Sequence, residues 1–219
     1  NQGKRMGLGH AIYQGLDKSS EPVLIVLGDS ILELNYLELI SSKHSTIGVC
    51  YVPDPERFGI AQIKNNQIIN VVEKPEKPVG NLALIGIYFI SSQKELMKGI
   101  EYLLANNIMT NNEYQLTDAL QYLIKDGHVF NALEIYECLD CGIPETLLST
   151  NKILLNRGKS NSIDPSAIIK NSHLKSSTIS QNSTIINSTL NNVITLPDSK
   201  LTEQNLENII VGFGECVEK

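Results

Sequence analysis

Two aspartates in this 219-residue sequence stand next to apolar, strand-like runs and could bind a metal ion. Asp29 follows the run Val23-Leu-Ile-Val-Leu27, and Asp140 stands in Cys138-Leu-Asp-Cys-Gly142. In open α/β sheets, ligands bind at the carboxyl ends of the strands. Two carboxylates at such ends could share a Mg²⁺ ion, which prefers oxygen ligands and bridges to phosphates. Aspartate also simply favours turns, so the spacing leaves both interpretations open.

A Glu-Lys pair and a glycine segment are the other candidates for ligand binding. Glu73-Lys74 ends a predicted hairpin and leads into Gly80-Asn81. The lysine could neutralise a phosphate while the glutamate holds sugar hydroxyls, although such a pair is more often a solvated surface. Gly7-Leu-Gly-His-Ala11 opens a predicted helix, where small residues allow close approach of an anion. Neither common phosphate-binding pattern, G-x-x-x-x-G-K-[ST] or G-x-G-x-x-G, occurs.

The cysteines and histidines indicate no further catalytic or metal site. Cys138-x-x-Cys141 has the spacing of half a zinc site, but a structural zinc needs a second pair of ligands, and Cys50 and Cys216 are isolated. The four histidines are scattered and suggest no serine-histidine-acid arrangement. Thiols in an ordinary globular composition are typical of a reduced protein, so we expect a cytoplasmic location.

Charge and hydropathy exclude several kinds of partner. The chain carries 18 Lys and Arg against 24 Asp and Glu, a net charge of −6. We therefore expect no nucleic-acid partner and no anionic membrane partner, because both require a basic surface. The longest apolar run, residues 83–90, is far shorter than a membrane span.

Residues 1–157 alternate between helix-like and strand-like patterns. Helices are predicted over 7–15, 34–42, 93–106, 117–126 and 143–156. Strands are predicted over 23–27, 47–52, 83–90 and 129–135, with a hairpin over 58–63 and 67–72. This alternation predicts an α/β domain whose sheet is mixed, mainly parallel and covered on both faces.

Residues 158–219 have a different pattern. Aliphatic residues recur there at intervals of five or six: Ile168, Leu174, Ile179, Ile185 and Leu190. A period near six places one inward side chain on each flat side of a triangular coil. We therefore predict a short parallel β-helix that caps itself or packs on a neighbour. The alternative is a solvated tail rich in serine and asparagine.

In their order along the chain, these pieces resemble the sugar-1-phosphate nucleotidyltransferases, in particular the longer glucose-1-phosphate thymidylyltransferases with a C-terminal left-handed β-helix. The matching segments are Gln2-x4-Gly-Leu-Gly-His-Ala11, Val26-Leu-Gly-Asp29, Pro53-Asp-Pro-Glu-Arg-Phe-Gly-Ile60, Val72-Glu-Lys-Pro75, Asn81-Leu-Ala-Leu-Ile-Gly-Ile-Tyr88, Glu113-Tyr-Gln-Leu-Thr-Asp118 and Leu139-Asp-x-Gly142. The resemblance implies a Rossmann-like sheet. It also implies Mg²⁺-dependent transfer of a nucleotidyl group from dTTP or UTP to glucose-1-phosphate, with release of pyrophosphate.

The resemblance also implies roles for single residues. Asp29 and Asp140 match the Mg²⁺ ligands of the family and, with Lys74, its catalytic residues. Gln2 and Gly7 match the positions of the family that contact the nucleotide base. The positions that hold the sugar and its phosphate match Gly59, Glu73 and Lys74, with Asn81 and Leu84 lining the same side. The pair Thr117-Asp118 lies in a segment that the family keeps near the sugar.

Two features of the family are missing from this sequence. The family begins with a strand and a loop of the form G-x-G-[ST]-R-L that wraps the triphosphate, and this sequence starts after them. A tryptophan usually precedes the last aspartate of the family. Here Cys138 lies nearby and the chain has no tryptophan, which we expect to alter only local packing.

We expect the chain to be a fragment of a longer product, or a homo-oligomer in which a second copy covers the exposed sheet. An alternative function is a catalytically silent module that binds sugar phosphate or mediates oligomerisation. A further alternative is an acyltransferase built on the β-helix, for which His173 is the one candidate catalytic histidine in the coil.

Overall fold

The structure, a computed structural model, describes residues 2–77 and 79–217. By packing, the chain divides into two compact units, Asn1–Cys138 and Leu139–Lys219. The boundary predicted at residue 157 follows the change in composition and stays a prediction. None of the helices in the described part of the chain has both the length and the hydropathy of a membrane span.

The first unit is a sheet with flanking helices. Its strands are β1 (Val23–Val26), β2 (Ser30–Leu32), β3 (Ser45–Tyr51), β4 (Gly59–Lys64), β5 (Gln67–Glu73), β6 (Leu82–Ile90) and β7 (Phe130–Glu134). The helices are α1 (Leu8–Tyr13), α2 (Tyr36–Ile40), α3 (Gln93–Asn106) and α4 (Leu116–Lys125), with a 3₁₀ turn at Pro55–Arg57. The order of the six-stranded sheet is β1-β6-β3-β7-β5-β4.

The predicted α/β class and the mixed sheet are confirmed, but the proportion of parallel pairing differs from the prediction. Among the described strands of this sheet, β3 and β7 form the one parallel pair. β4 and β5 form an antiparallel hairpin through Asn65 and Asn66, whose φ angles of 51° and 63° suit a tight turn. β6 runs antiparallel to both β1 and β3. Alternation of strands and helices along the chain therefore overstated the parallel content.

Strand β1 also differs from the prediction of a sheet covered on both faces. It lies at one end of the strand order, and its side chains alternate between half-buried and exposed. Leu24 and Val26 are 39% and 48% exposed. An apolar run therefore specified the strand but not the cover on its outer face.

Helices α3 and α4 pack together over one face of the sheet and enclose the main core. The fully buried side chains there include Ile47, Leu96, Ile100, Leu103, Leu120 and Leu123. α3 begins at Ser92, whose Oγ accepts a hydrogen bond from the backbone N–H of Glu95 (3.4 Å). It ends at Asn107 in the left-handed conformation, a common helix stop. This packing fixes the start of α4, which carries part of the candidate site.

The second unit is a parallel β-helix with one helix packed on it. Strand β8 (Cys138–Asp140) crosses the division, and α5 (Pro144–Asn156) precedes the coil. The coil strands are β9 (Ser162–Ile163), β10 (Ile168–Lys170), β11 (His173–Lys175), β12 (Thr178–Ile179), β13 (Thr184–Ile186), β14 (Thr189–Thr195), β15 (Lys200–Thr202), β16 (Asn205–Val211) and β17 (Cys216–Val217). Asn151 of α5 accepts a hydrogen bond from the Thr178 hydroxyl (2.6 Å), which ties the helix to the coil.

The coil repeats every 16 residues, because Ile168 pairs with Thr184 and Thr184 pairs with Lys200. The predicted inward residues are confirmed at Ile179, Ile185 and Leu190, which are buried, and Leu174 packs against them. The prediction is wrong at Ile168, which is half exposed. Its neighbours Ala167 and Ile169 face the core instead.

The serine and asparagine residues of the coil have structural roles. Eight residues of the coil take the left-handed backbone conformation. Two are Ser176 and Glu203, and the other six are Asn171, Asn182, Asn187, Asn192, Asp198 and Asn208. Asparagine tolerates this conformation better than most residues. Buried serines then satisfy the backbone: the Ser177 hydroxyl donates to Lys175 O (2.8 Å) and accepts from Val193 N (3.1 Å). The composition that resembled a disordered tail therefore specifies the turns of a coil.

Candidate functional site

The N-terminal glycine segment is held against the loop before α4. Gly7 has φ +99°, and a Cβ there would lie 2.8 Å from both the Glu113 Cβ and the Tyr114 carbonyl oxygen. The Tyr114 N–H donates to Met6 O (2.9 Å). Gln2 Nε2 donates to Gly7 O (3.2 Å). The structure thus brings Gln2 and Gly7 together, and their contact with a nucleotide base stays a prediction.

Three sugar-site positions converge where β4 and β5 meet the start of α4. Gly59 of β4 pairs directly with Glu73 of β5. The side chain of Thr117, in the first turn of α4, acts on the Glu73 carboxylate and lowers its pKa. A Cβ on Gly59 would lie 2.7 Å from Thr117 Oγ1 and 3.1 Å from Glu73 Oε2. The missing side chain of Gly59 therefore leaves room for both of these oxygens.

Carboxyl groups dominate the electrostatics of this cluster. Burial raises the pKa of Glu73, while the Thr117 side chain and the charge of Lys74 lower it. The charges of Asp118 and Glu113 raise it again. Burial also raises the pKa of Asp118, opposed by a hydrogen bond that the Thr110 hydroxyl donates to its Oδ2 (2.8 Å). Partly buried acids with raised pKa values are typical of functional sites, because a ligand can supply the missing donors.

Lys74 stands at the end of β5 in a strained backbone conformation. Its φ is +41°, which is uncommon for a residue other than glycine or asparagine. Its N–H donates to the carbonyl oxygen of Phe58, the residue before β4 (2.9 Å), which holds the bend in place. The side chain is exposed, and its charge acts on Glu73. The pair Glu73-Lys74 thus presents a carboxylate and an ammonium from one strand end.

Tyr88 of β6 joins the cluster, and sequence reasoning did not single it out. Burial raises the pKa of the Tyr88 hydroxyl, and the charges of Glu73 and Asp29 raise it further. Tyr88 therefore lies within electrostatic reach of both carboxylates. The one signal in the sequence was a hydroxyl-bearing side chain within the apolar run 83–90.

The two predicted metal ligands lie in different units. Asp29 is exposed in the turn after β1. Asp140 ends β8, and its Oδ1 accepts from Gly142 N (2.8 Å). Within residues 2–77 and 79–217, no three His, Cys, Asp or Glu residues are grouped as a metal site. Mg²⁺ commonly takes one or two carboxylates and completes its shell with water and phosphate oxygens, so each carboxylate is a suitable ligand type, and the binding of Mg²⁺ by Asp29 and Asp140 stays a prediction.

Asn81 and Leu84 have partners within the protein. The Asn81 amide nitrogen donates to Val52 O (2.9 Å), and Val52 N donates to Asn81 O (2.8 Å). Leu84 lies in the main core. Their contribution to a sugar pocket stays a prediction. Cys138 packs against the second core cluster of the first unit, around Leu39 and Ile87.

Comparison with known proteins gives these positions a context. Residues 1–157 match the model of the nucleotidyl transferase family. Over 173 residues the chain is 32% identical to the bifunctional protein GlmU of Methanocaldococcus jannaschii, covering 77% of this chain and 41% of that protein. It is 30% identical to a glucose-1-phosphate thymidylyltransferase of Xanthomonas campestris pv. campestris, covering 64% of this chain and 50% of that protein. The chain thus spans about half the length, or less, of these relatives.

Solved structures show the same fold. A putative glucose-1-phosphate thymidylyltransferase from Bacillus anthracis, in complex with a sucrose, aligns with a TM-score of 0.56 and 25% identity. The alignment covers 69% of this chain and 62% of that one. A UDP-glucose pyrophosphorylase complexed with UDP-glucose aligns with a TM-score of 0.59 at 23% identity, covering 71% of this chain and 64% of that one.

Proposed function

Because this chain belongs to the nucleotidyl transferase family, we propose that it acts as a sugar-1-phosphate nucleotidyltransferase and supplies the sugar-phosphate side of the site. The observation that carries the proposal is the convergence of Gly59, Glu73 and Thr117 beside Lys74. A carboxylate and an ammonium at one strand end match the two parts of a sugar phosphate: hydroxyls that donate and a phosphate that is anionic.

The proposed reaction is nucleotidyl transfer. An oxygen of the sugar phosphate attacks the α-phosphate of a nucleoside triphosphate, a new P–O bond forms, and the bond to the β-phosphate breaks. Pyrophosphate leaves with the electron pair of that bond. Such reactions are catalysed mainly by holding the reactants in line and by offsetting their charge.

The residues of this chain divide these tasks. Lys74 offsets the charge of the sugar phosphate, and the ionised Glu73 accepts hydrogen bonds from sugar hydroxyls. Asp29 and Asp140 supply carboxylate ligands for Mg²⁺, which when bound offsets charge on the phosphates. Gln2 and Gly7 lie on the side of the base, and Asn81 and Leu84 line the sugar side.

We propose glucose-1-phosphate as the sugar phosphate, and dTTP ahead of UTP as the nucleotide. Support comes from the glucose-1-phosphate thymidylyltransferase among the relatives and from the similar fold of the Bacillus anthracis protein. We also propose that the protein works in the cytoplasm as a homo-oligomer.

Pyrophosphate release by the purified chain tests this proposal. The assay supplies glucose-1-phosphate and Mg²⁺ with dTTP or UTP in parallel, and Asp29→Asn serves as the variant expected to abolish release. Release that requires glucose-1-phosphate is the expected result, and the faster triphosphate identifies the base. A folded chain that binds glucose-1-phosphate without releasing pyrophosphate would instead be a catalytically silent sugar-phosphate-binding module.

A further inference from the structure

The side chain of Gln2 is held by two hydrogen bonds from one nitrogen. Its Nε2 donates to the Gly7 carbonyl oxygen (3.2 Å) and lies 2.7 Å from His10 Nδ1. A carbonyl oxygen can only accept, so the nitrogen end of the amide must face Gly7. His10 Nδ1 must then accept the second bond, and the proton of the neutral ring stands on its Nε2. Both amide hydrogens of Gln2 are therefore used within the protein.

The ring of His10 is held in place by its position in α1. Gly9 N donates to Tyr114 O (2.8 Å), which anchors the first turn of the helix to the loop before α4. At the other ring nitrogen, the amide nitrogen of Gln14 lies 3.5 Å from His10 Nε2. Gln14 is exposed, so a half-turn of its amide lets its oxygen accept from Nε2–H. His10 can therefore keep its Nδ1 directed at Gln2.

The remaining polar atom of the Gln2 side chain is Oε1. Within residues 2–77 and 79–217 this oxygen has no hydrogen-bond partner, and it is not enclosed by the protein. The amide cannot exchange its oxygen for its nitrogen without losing both bonds. Gln2 therefore presents a fixed acceptor, and no donor, to a ligand.

We propose that His10 is a positioning residue for base recognition: it holds the Gln2 amide so that Oε1 accepts from the ring N–H of thymine or uracil. The inference rests on the proposed function, in which Gln2 lies on the side of the base. Thymine and uracil carry a hydrogen on the ring nitrogen between their two carbonyl groups. Cytosine has a bare nitrogen at that position, so two acceptors would face each other. A fixed acceptor therefore discriminates between these bases.

His10 contributes the shorter of the two bonds that hold Gln2. Without Nδ1, Gln2 keeps only the longer bond to Gly7. Residues 3–5, which connect Gln2 to the glycine segment, are exposed. A side chain with one bond can turn its amide or leave the site, and binding must then order it again. Loss of the acceptor should therefore weaken the choice of base.

The test uses His10→Phe, which keeps a ring and removes the acceptor, and His10→Asn, whose Oδ1 replaces Nδ1 as the acceptor. His44→Phe is the matched control, because His44 is exposed and lies outside α1. NMR without ligand follows solvent exchange of the Gln2 amide hydrogens, whose signals are identified by their loss in Gln2→Met. Calorimetry with Mg²⁺ measures the affinities for dTTP, dCTP and glucose-1-phosphate.

Exchange of the Gln2 amide hydrogens should be faster in H10F than in the wild type, and slow again in H10N. We expect the wild type to bind dTTP about 10-fold or more tightly than dCTP, because the wrong base leaves acceptors unpaired. H10F should narrow this preference to about 3-fold or less, while H10N and H44F should keep it. Affinity for glucose-1-phosphate should be the same in all four proteins. Within a Gln2→Met background, H10F should have little further effect, because His10 acts through Gln2.

Several outcomes would overturn the inference. Unchanged amide exchange in H10F would show that His10 does not hold Gln2. Faster exchange with an unchanged preference for dTTP would show that the contact does not serve the base, as would equal binding of dTTP and dCTP by the wild type. If H10F does not fold, His10→Ala replaces it with the same criteria. If the wild type binds no nucleotide, the proposed function fails together with the role in base recognition, and amide exchange still decides whether His10 holds Gln2.

Discussion

At the residue scale, the candidate site is a balance between one half-buried carboxylate and the groups around it. Burial and the charges of Asp118 and Glu113 disfavour the ionised form of Glu73, while Thr117 and Lys74 favour it. A sugar hydroxyl or a nearby phosphate ligand would change that balance. The same residue should therefore lower the stability of the free protein and increase its affinity for a sugar phosphate, as is common at functional sites.

This balance predicts a pH-dependent effect of Glu73→Gln on stability. The pKa of folded Glu73 lies above its ordinary value, mainly because of burial. The stability that the neutral carboxyl contributes is complete below its unfolded pKa and is lost as pH rises through the folded pKa. E73Q, which stays neutral, should therefore unfold at a higher temperature than the wild type at about pH 7. The difference between the two unfolding temperatures should disappear at about pH 4.

Thermal unfolding followed by circular dichroism at both pH values measures this difference. Glu76→Gln, the same change at an exposed position three residues further along, should leave the unfolding temperature close to that of the wild type. An E73Q protein that is less stable than the wild type at neutral pH would show that the charged carboxylate supports the fold.

Single site residues could be predicted where the family resemblance pointed to them. Residues that only the folded geometry brings to the site could not. Glu73, Lys74 and Gly59 were found from their motifs, and the structure places Gly59 against Glu73. Tyr88 was missed because a tyrosine inside an apolar strand has no pattern that separates core from site. The +41° φ of Lys74 was equally hidden, since it follows from pairing across the hairpin.

At the element scale, the helices were easier to predict than the sheet. The predicted helix over 93–106 agrees with Gln93–Asn106, because a capping serine and a left-handed asparagine mark its ends locally. The proportion of parallel pairing and the exposed face of β1 depend on contacts between distant parts of the chain. Local patterns do not contain that information, so the hairpin of β4 and β5 was predicted and the other partners in this sheet were not.

Helix α4 should support the site through its buried leucines. Leu120 is completely buried in the main core, so Leu120→Ala should cost about 2–5 kcal/mol of unfolding free energy by leaving a cavity. The matched control is Leu37→Ala in α2, where the side chain is 72% exposed and the cost should stay within about 0.5 kcal/mol. Urea unfolding measures both. Equal effects of the two substitutions would contradict the packing described for α4.

At the scale of the whole molecule, the two units of the chain have different architectures. The first unit packs helices over a mixed sheet, and the second stacks a 16-residue coil with asparagine corners and buried serines. The period of the coil was readable from its aliphatic residues, although the inward position near Ile168 was displaced by one. A period fixes the repeat more firmly than the phase, because neighbouring aliphatic residues compete for the same inward position.

The central claim is that this chain binds a sugar phosphate through Glu73 and Lys74. Titration calorimetry with glucose-1-phosphate tests it most directly, with Lys74→Met as the variant and Lys64→Met, an exposed lysine at the other end of the hairpin, as the matched control. We predict one binding site in the wild type, the same affinity in K64M, and an affinity about 10-fold or more lower in K74M. No binding by the folded wild type, or equal binding by K74M and K64M, would contradict the account.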